Sequence, residues 1–414
     1  MASVHSQVDS PPSFSRRKAR PVARTDQFSS ERSLARLRFL TIMRAHPFVA
    51  TGLLVSAIFS PAFADSLDLF AGTGKSPRHT YRIPTLAVTK QGTLLAFAEL
   101  RKNSSGDSGD IDTVVKRSTD GGKTWSGEKV MLDLDEHTIG NACPIVDPET
   151  GRISVLAVWN RVHESKTAPG FGDESRRVYL TRSDDDGLTW SPPADISRSV
   201  KQATWSWVAT GPGAGIALTR GKHPGRFVLG INHRETAGEA PGYYALVIYS
   251  DDRGATWKSS KTYAARHTNE CEVVELTNGD LMLNMRNHGS PKRERAIAIS
   301  KDGGETWGET TWDPSLPEPQ CMASFARHTW PQDDKPGLLL FSNPASQKAR
   351  ENLTLRGSTD DGKTWPHAKL ILPGDAAYSH LTILPDGSIA LAYETSGYKR
   401  IVFTTLKPGE WDAP

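Results

Sequence analysis

From residue 80 to the C-terminus, short apolar stretches alternate with clusters of Gly, Asp, Asn and Pro. The stretches run for four to seven residues, as in Leu94–Leu100, Ile111–Arg117, Asp280–Arg286, Arg295–Ser300, Leu338–Phe341, Asn352–Gly357, Ser388–Glu394 and Ile401–Leu406. Apolar runs of this length between turn residues read as strands. No amphipathic pattern is long enough to build a helical second domain.

The turns carry a repeat. Ser-x-Asp-x-Gly-x-Thr-Trp begins at Ser118, Ser183, Ser250, Ser300 and Ser358, at intervals of 65, 67, 50 and 58 residues. Self-similarity at such a period marks an array of units that bury their faces on one another. In the copy at 117–125, apolar residues run up to Arg117, the Asp120-Gly121-Gly122 segment supplies a turn, and Thr124-Trp125 is expected to open the next strand. Asp120 is placed to accept hydrogen bonds from turn amides, and Trp125 to cover the apolar side of the hairpin. Identical residues repeated around a ring cannot all sit at one centre, so the boxes read as structural.

Residues 65–414, divided by a unit of about 60, give six units of four strands each. The expected fold is all-β, a six-bladed β-propeller with four antiparallel strands per blade. The last blade lacks a box, and a strand near Leu67–Phe70 is expected to complete it and close the ring. Residues far apart in sequence then converge at the axis, while the boxes lie at the rim.

The first 64 residues fall outside this pattern. Met43-Arg44-Ala45-His46 is a basic start, Phe48 to Phe59 is a mostly apolar run of 12, and Ala62-Phe63-Ala64 is an A-x-A site. Together they read as a signal peptide at 43–64, cut before Asp65, which implies a secreted or periplasmic protein with no stable membrane insertion after cleavage. Residues 1–42, Arg- and Ser-rich, read as an upstream extension that is not native, with Met43 as the start; a disordered basic arm is the alternative.

This division changes the charge argument. The whole chain carries 50 Lys and Arg against 47 Asp and Glu, a net of +3, but residues 1–64 hold 9 against 3. Residues 65–414 therefore carry 41 against 44, a net of −3, and nothing suggests a nucleic-acid partner. Cys143, Cys271 and Cys321 are too few for a disulfide framework and lack metal-ligand spacing. A single Cys271–Cys321 bridge stays open. Gly211-Pro212-Gly213-Ala214-Gly215 has no βαβ setting, and Gly72-Thr73-Gly74-Lys75 lacks P-loop spacing, so no nucleotide site is read there. No cofactor or metal is expected.

Nine segments remain that the strand pattern does not explain. They are Thr80–Pro84 (TYRIP), Arg101–Asp107, Gly140–Pro144, Ala209–Gly213, Asn269–Leu276, Leu283–Arg286, Ser342–Pro344 with Arg350, Tyr378-Ser379 and Ala392–Glu394. In this order, over essentially all of 65–414, they resemble the motifs of bacterial-type exo-α-sialidases (neuraminidases) with Asp-box, or BNR, repeats. The resemblance implies a six-bladed propeller that removes terminal sialic acids from glycans, glycoproteins or glycolipids. It assigns Arg82, Arg286 and Arg350 to the substrate carboxylate, and planar guanidinium suits that task because it binds carboxylate in bidentate fashion. It assigns Glu394 to orienting Arg82, Tyr378 to the nucleophile, Glu270 to its base and Asp107 to the general acid.

Chemistry supports such a set. A carboxylate nucleophile would be repelled by the anion beside the anomeric carbon, whereas a neutral phenol can approach it; Tyr nucleophiles are the known sialidase exception among glycosidases. Glu272 lies on the same side of a strand as Glu270 by alternation and is the competing choice for the base. Asp110 and Asp112 compete with Asp107, whose role as an acid requires a protonated carboxyl. Asn141–Pro144 with Trp205–Val208 are expected around a small apolar recess for the N-acetyl group. Loops Glu164–Ser175 and His288–Glu294 would set acceptor preference. The alternatives are a catalytically silent propeller that binds carbohydrate or protein, and a trans-sialidase or hydrolase of a related nonulosonic acid.

Overall fold

The computed structural model describes residues 66–72, 79–236 and 240–411. The proposed extension and signal peptide lie outside the described residues. Among those described, helix is confined to Ser197–Val200 and a 3-10 turn at Glu164–Lys166, and the rest of the regular structure is strand. None of the described helices is long and apolar enough to cross a membrane.

The strands form a propeller-like array of antiparallel sheets. Three sheets have four strands and one has five. The remaining sheet has eight, but its halves, which begin at Thr80–Val88 and Thr138–Val146, meet only through one parallel pair, Ile111 with Thr138. The first strand of a sheet lies innermost and meets its neighbour at the axis: the Leu86 amide donates to His380 Nδ1 at 3.0 Å, and the Leu381 amide to Ser324 Oγ at 3.0 Å. Leu67–Ala71 pairs antiparallel with Arg400–Leu406 and completes the sheet that starts at Ser379–Ile383, so the expected closure of the last sheet is present. Apolar side chains fill the gaps between sheets; one such layer joins Val178 and Leu180 to Trp205, Leu229 and Ile248.

The five boxes fold alike. The Gly amide donates to the Ser Oγ at 2.7–2.9 Å in each copy, from Gly122, Gly187, Gly254, Gly304 and Gly362. Each Thr amide donates to the Asp at 2.8–2.9 Å, as in Thr124 to Asp120 and Thr306 to Asp302. One expectation is corrected: Trp125 does not open a strand. The next strand begins at Lys129, and the indole instead folds back, donating to the Gly122 carbonyl at 3.1 Å while its ring meets Phe403 edge-on. The indole N–H needs a partner when its ring is packed, and the turn carbonyl is the nearest one.

Cys143, Cys271 and Cys321 are all buried and unpaired, so the Cys271–Cys321 bridge left open by the sequence is not formed.

Candidate active site

The innermost strand Thr80–Val88 breaks register between Arg82 and Thr85. Ile83 there has φ of 58°, a region costly to a β-branched residue, by about 1–3 kcal/mol. The compensation is Glu394. Its Oε1 accepts from the Ile83 amide at 2.8 Å and from Arg82 Nε at 2.7 Å, while its Oε2 accepts from the Tyr378 amide at 3.2 Å. Burial opposes the charge on Arg82, yet the Glu394 carboxylate outweighs it and pushes the guanidinium pKa upward. One buried carboxylate thus fixes both an arginine and the backbone of a tyrosine 296 residues away from it (378 minus 82).

Tyr378 is the centre of the arrangement. Its hydroxyl donates to Glu270 Oε1 at 2.6 Å and accepts from Arg286 Nη1 at 3.1 Å; the same Nη1 donates to Glu270 Oε2 at 2.6 Å. Glu270 and Arg286 come from adjacent strands, Thr268–Glu275 and Leu281–Asn287, as their 16-residue separation suggested. Arg82 Cζ lies 5.4 Å from the Tyr378 ring centroid and Arg350 Cζ 5.3 Å, so with Arg286 three guanidinium groups surround one phenol, two from strands of different sheets and Arg350 from the residue before Glu351–Ser358. Arg350 is held by the Gln320 carbonyl at 3.0 Å and the Tyr398 hydroxyl at 3.2 Å.

The electrostatics separate the two titratable partners. Burial raises the Tyr378 pKa, the Glu270 charge raises it further, and Arg286 and Arg350 only partly offset them, so it stands well above the ordinary phenol value. Burial would also raise Glu270, but the Arg286 charge and the Tyr378 hydrogen bond outweigh it and hold the carboxyl below its usual range. The resting proton therefore lies on the phenol, next to a carboxylate able to take it.

Asp107 lies in the loop after Leu94–Arg101. Its side chain is 75% exposed, and Oδ1 pairs with Arg101 Nη1 at 2.6 Å. Arg101 is itself buried and bound by Glu99 at 2.6 Å. Partial enclosure by the loop raises the Asp107 pKa, but Arg101, Arg82 and Arg176 pull it down to a net value below the ordinary one. The expected protonated carboxyl is thus not the resting state: without substrate this group is an anion. Asp110 and Asp112, the competing choices, pair with Lys102 at 2.8 and 2.9 Å.

Glu272, the competing base, also points inward but deeper. Its Oε1 lies 3.0 Å from His380 Nε2 and accepts from the Ala214 amide at 3.1 Å, and its Oε2 accepts from the Phe325 amide at 2.5 Å. A Cβ on Gly213 would meet Glu272 Oε1 at 1.8 Å, so only glycine fits beside it. His380 Nδ1 already accepts from Leu86, which leaves Nε2 as the donor to Glu272. Glu272 thus ties several inner strands together beneath the site, and strand alternation alone does not reveal the difference from Glu270.

These groups face one cavity of about 260 Å³. Its walls include Arg82, Asp107, Glu270, Arg286, Arg350 and Tyr378. Glu394 and Glu272 stay behind the wall. Asn141, Trp207 and Ala209 line it, whereas Cys143, Trp205 and Val208 belong to the apolar layer behind, so the recess expected from 141–144 and 205–208 is only half at the surface. Glu164 and His288, from the two loops expected to set acceptor preference, also line it. Contributors not predicted include Glu99, Arg101, Thr138, Arg176, Asn232 and Tyr243. Arg101 stood inside a quoted motif, and its spacing to Asp107 was the available signal; Arg176 and Tyr243 carried none.

A profile for the BNR repeat-like domain matches residues 78–391. A sialidase of Bacteroides fragilis is 37% identical over 340 residues, covering 76% of this chain and 60% of its own, and a sialidase of Micromonospora viridifaciens is 36% identical over 339 residues, covering 78% and 51%. The chain belongs to the sialidase family. Among solved structures, the Hadza microbial sialidase Hz136 superposes with a TM-score of 0.72 at 34% identity, covering 80% of this chain and 66% of that one. This sialidase-family chain spans 51–60% of the length of the two curated relatives. The BNR repeat-like match spans the stretch that supplies Arg82 through Tyr378.

Proposed function

We propose that the chain is a retaining exo-α-sialidase that hydrolyses terminal sialic acids on glycans, glycoproteins or glycolipids through a tyrosyl-enzyme intermediate. The observation that carries this reading is the Tyr378 hydroxyl, 2.6 Å from a charged Glu270 and ringed by three arginines.

The substrate carboxylate binds Arg82, Arg286 and Arg350. Tyr378 oxygen attacks the anomeric carbon as its proton passes to Glu270; the glycosidic C–O bond breaks and Asp107 protonates the leaving oxygen. In the second step a water attacks the same carbon, its proton goes to Asp107, the tyrosyl C–O bond breaks and Tyr378 recovers its proton from Glu270. Two inversions give net retention. Asp107 must gain its proton on binding. The substrate anion neutralises part of the arginine field that holds this carboxyl low, and the aglycone crowds its pair with Arg101, so the bound state favours protonation.

Two further readings accompany this one. The eight-stranded sheet, joined at a single residue pair, counts as two blades, and with the other four sheets this supports a six-bladed ring. The leader-like segment 43–64 supports secretion or a periplasmic location for residues 65–414.

Turnover of sialyllactose followed by NMR tests the proposal. Release of the α-anomer first supports retention, and β-anomer first overturns it. Transfer to lactose without free sialic acid would mark a trans-sialidase; no product at all would mark a binding module.

A further inference from the structure

Behind the cavity wall lies an ion pair that the mechanism does not use. Arg295, on strand Glu294–Ser300, and Glu318, just after Thr311–Pro317, both have fully buried side chains, and neither lines the cavity. Arg295 Nη1 donates to Glu318 Oε2 at 2.8 Å and to the Cys321 carbonyl at 2.9 Å, while Nε donates to Asn284 Oδ1 at 2.7 Å. Burial works against both charges, pushing the arginine pKa down and the glutamate pKa up. Nη2 has no hydrogen-bond partner. A pair desolvated to this extent adds little net stability compared with apolar residues of the same volume, so stability alone does not account for it.

Its contacts lead to two of the arginines around Tyr378. Glu318 Oε1 accepts at 3.0 Å from the amide of Asn287, the residue after Arg286. Arg295 grips both ends of the segment Glu318-Pro319-Gln320-Cys321, by the side chain of the first residue and the carbonyl of the last. Between these ends Gln320 has φ of 60°, a region sparsely used by residues other than glycine, and its carbonyl accepts from Arg350 Nη2 at 3.0 Å. The strained carbonyl that holds Arg350 and the backbone that carries Arg286 are therefore fastened to the same two charges. We propose that Arg295 and Glu318 are positioning residues, which set the spacing of Arg286 and Arg350 to match the two oxygens of a carboxylate. The inference rests on the proposed function, in which these arginines hold the carboxylate of the sialic acid. The pair then does for Arg286 and Arg350 what Glu394 does for Arg82.

Arg295→Met combined with Glu318→Gln removes both charges, leaves an unbranched stem in place of the guanidinium and keeps an acceptor for the Asn287 amide. Calorimetric titration with the unsaturated glycal of sialic acid, and with its methyl ester, reads the contribution of the carboxylate directly. In the folded variant the preference for the acid over the ester should fall about tenfold, with affinity for the ester little changed. KM for an aryl sialoside should rise by a similar factor, with kcat reduced less. A lower urea midpoint with an unchanged preference overturns the proposal, since the pair would then serve only the core. An equal loss of affinity for acid and ester overturns it too. If the double variant fails to fold, Arg295→Lys is measured the same way; its single nitrogen replaces a fork held at three points, so the preference should fall by a smaller factor, and an unchanged preference again overturns the proposal. A wild-type chain that hydrolyses no aryl sialoside overturns the function proposed above, while the acid-over-ester preference still tests the pair. A wild type without that preference overturns both.

Discussion

The rim and the axis of this molecule are built from the same kinds of residue and differ in what they leave unpaired. In each box the serine, aspartate and threonine satisfy one another and the turn amides, as Ser300 does with Asp302 and Gly304. At the axis, Arg176 Nε and Nη1, Asn232 Nδ2, Arg286 Nε and His288 Nδ1 are buried atoms without a hydrogen-bond partner in the protein. Trp190 Nε1 of one box is also without a partner, so what sets the axis apart is that its unpaired atoms belong to residues lining the cavity.

The contrast breaks first at Tyr378. Tyr378→Phe should leave the fold intact and, on the proposed function, lower kcat on sialyllactose by on the order of 10³-fold, since the proposed nucleophile is removed while the arginine ring remains; a steady-state assay with a circular dichroism spectrum checks both halves. Glu272→Gln should do the reverse. Breaking its buried contact with His380 should cost about 3 kcal/mol of unfolding free energy in urea titration, with the folded fraction still active. Loss of catalysis at full stability would show that Glu272, not Glu270, serves the chemistry.

Asp107→Ala should lower turnover of sialyllactose about a hundredfold and that of an aryl sialoside with a good leaving group much less, because only the poor leaving group needs its proton. The pH dependence has a definite sign. An acid acts below its pKa and is lost above it; Asp107 is held low in the free protein, and on the proposed function it should rise when substrate neutralises the arginines. The basic limb of kcat should therefore lie at higher pH than that of kcat/KM, and coincident limbs would remove the binding-linked proton. At the rim, Ser300→Ala should cost about 1–2 kcal/mol, measured by urea titration, and leave kcat unchanged.

Much of this was readable from the residues. The box spacing announced the repeat, and the strands at Leu94–Arg101, Leu281–Asn287 and Ile389–Thr395 fall within a residue of the expected positions. Tyr378, Glu270 and the arginines could be named because they sit at fixed places in ordered motifs, Arg82, Glu270 and Arg286 on strands and Arg350 and Tyr378 just before them. Arg176 and Tyr243 could not: their place in the cavity follows from a hairpin loop and from packing across sheets, which no local pattern encodes. Periodicity likewise cannot separate Glu270 from Glu272, since the register shift between Thr268 and Cys271 sets their depths. Nor could it give the charge state of Asp107, which depends on three arginines from separate segments.

The strand Leu67–Ala71 finds its partner only in Arg400–Leu406, and Arg400 reaches Asp68 across 332 residues of chain. During synthesis Leu67–Ala71 must therefore wait for Arg400–Leu406 to emerge. Until then one sheet edge stays open to solvent, so the final sheet locks only after this late partner has been made.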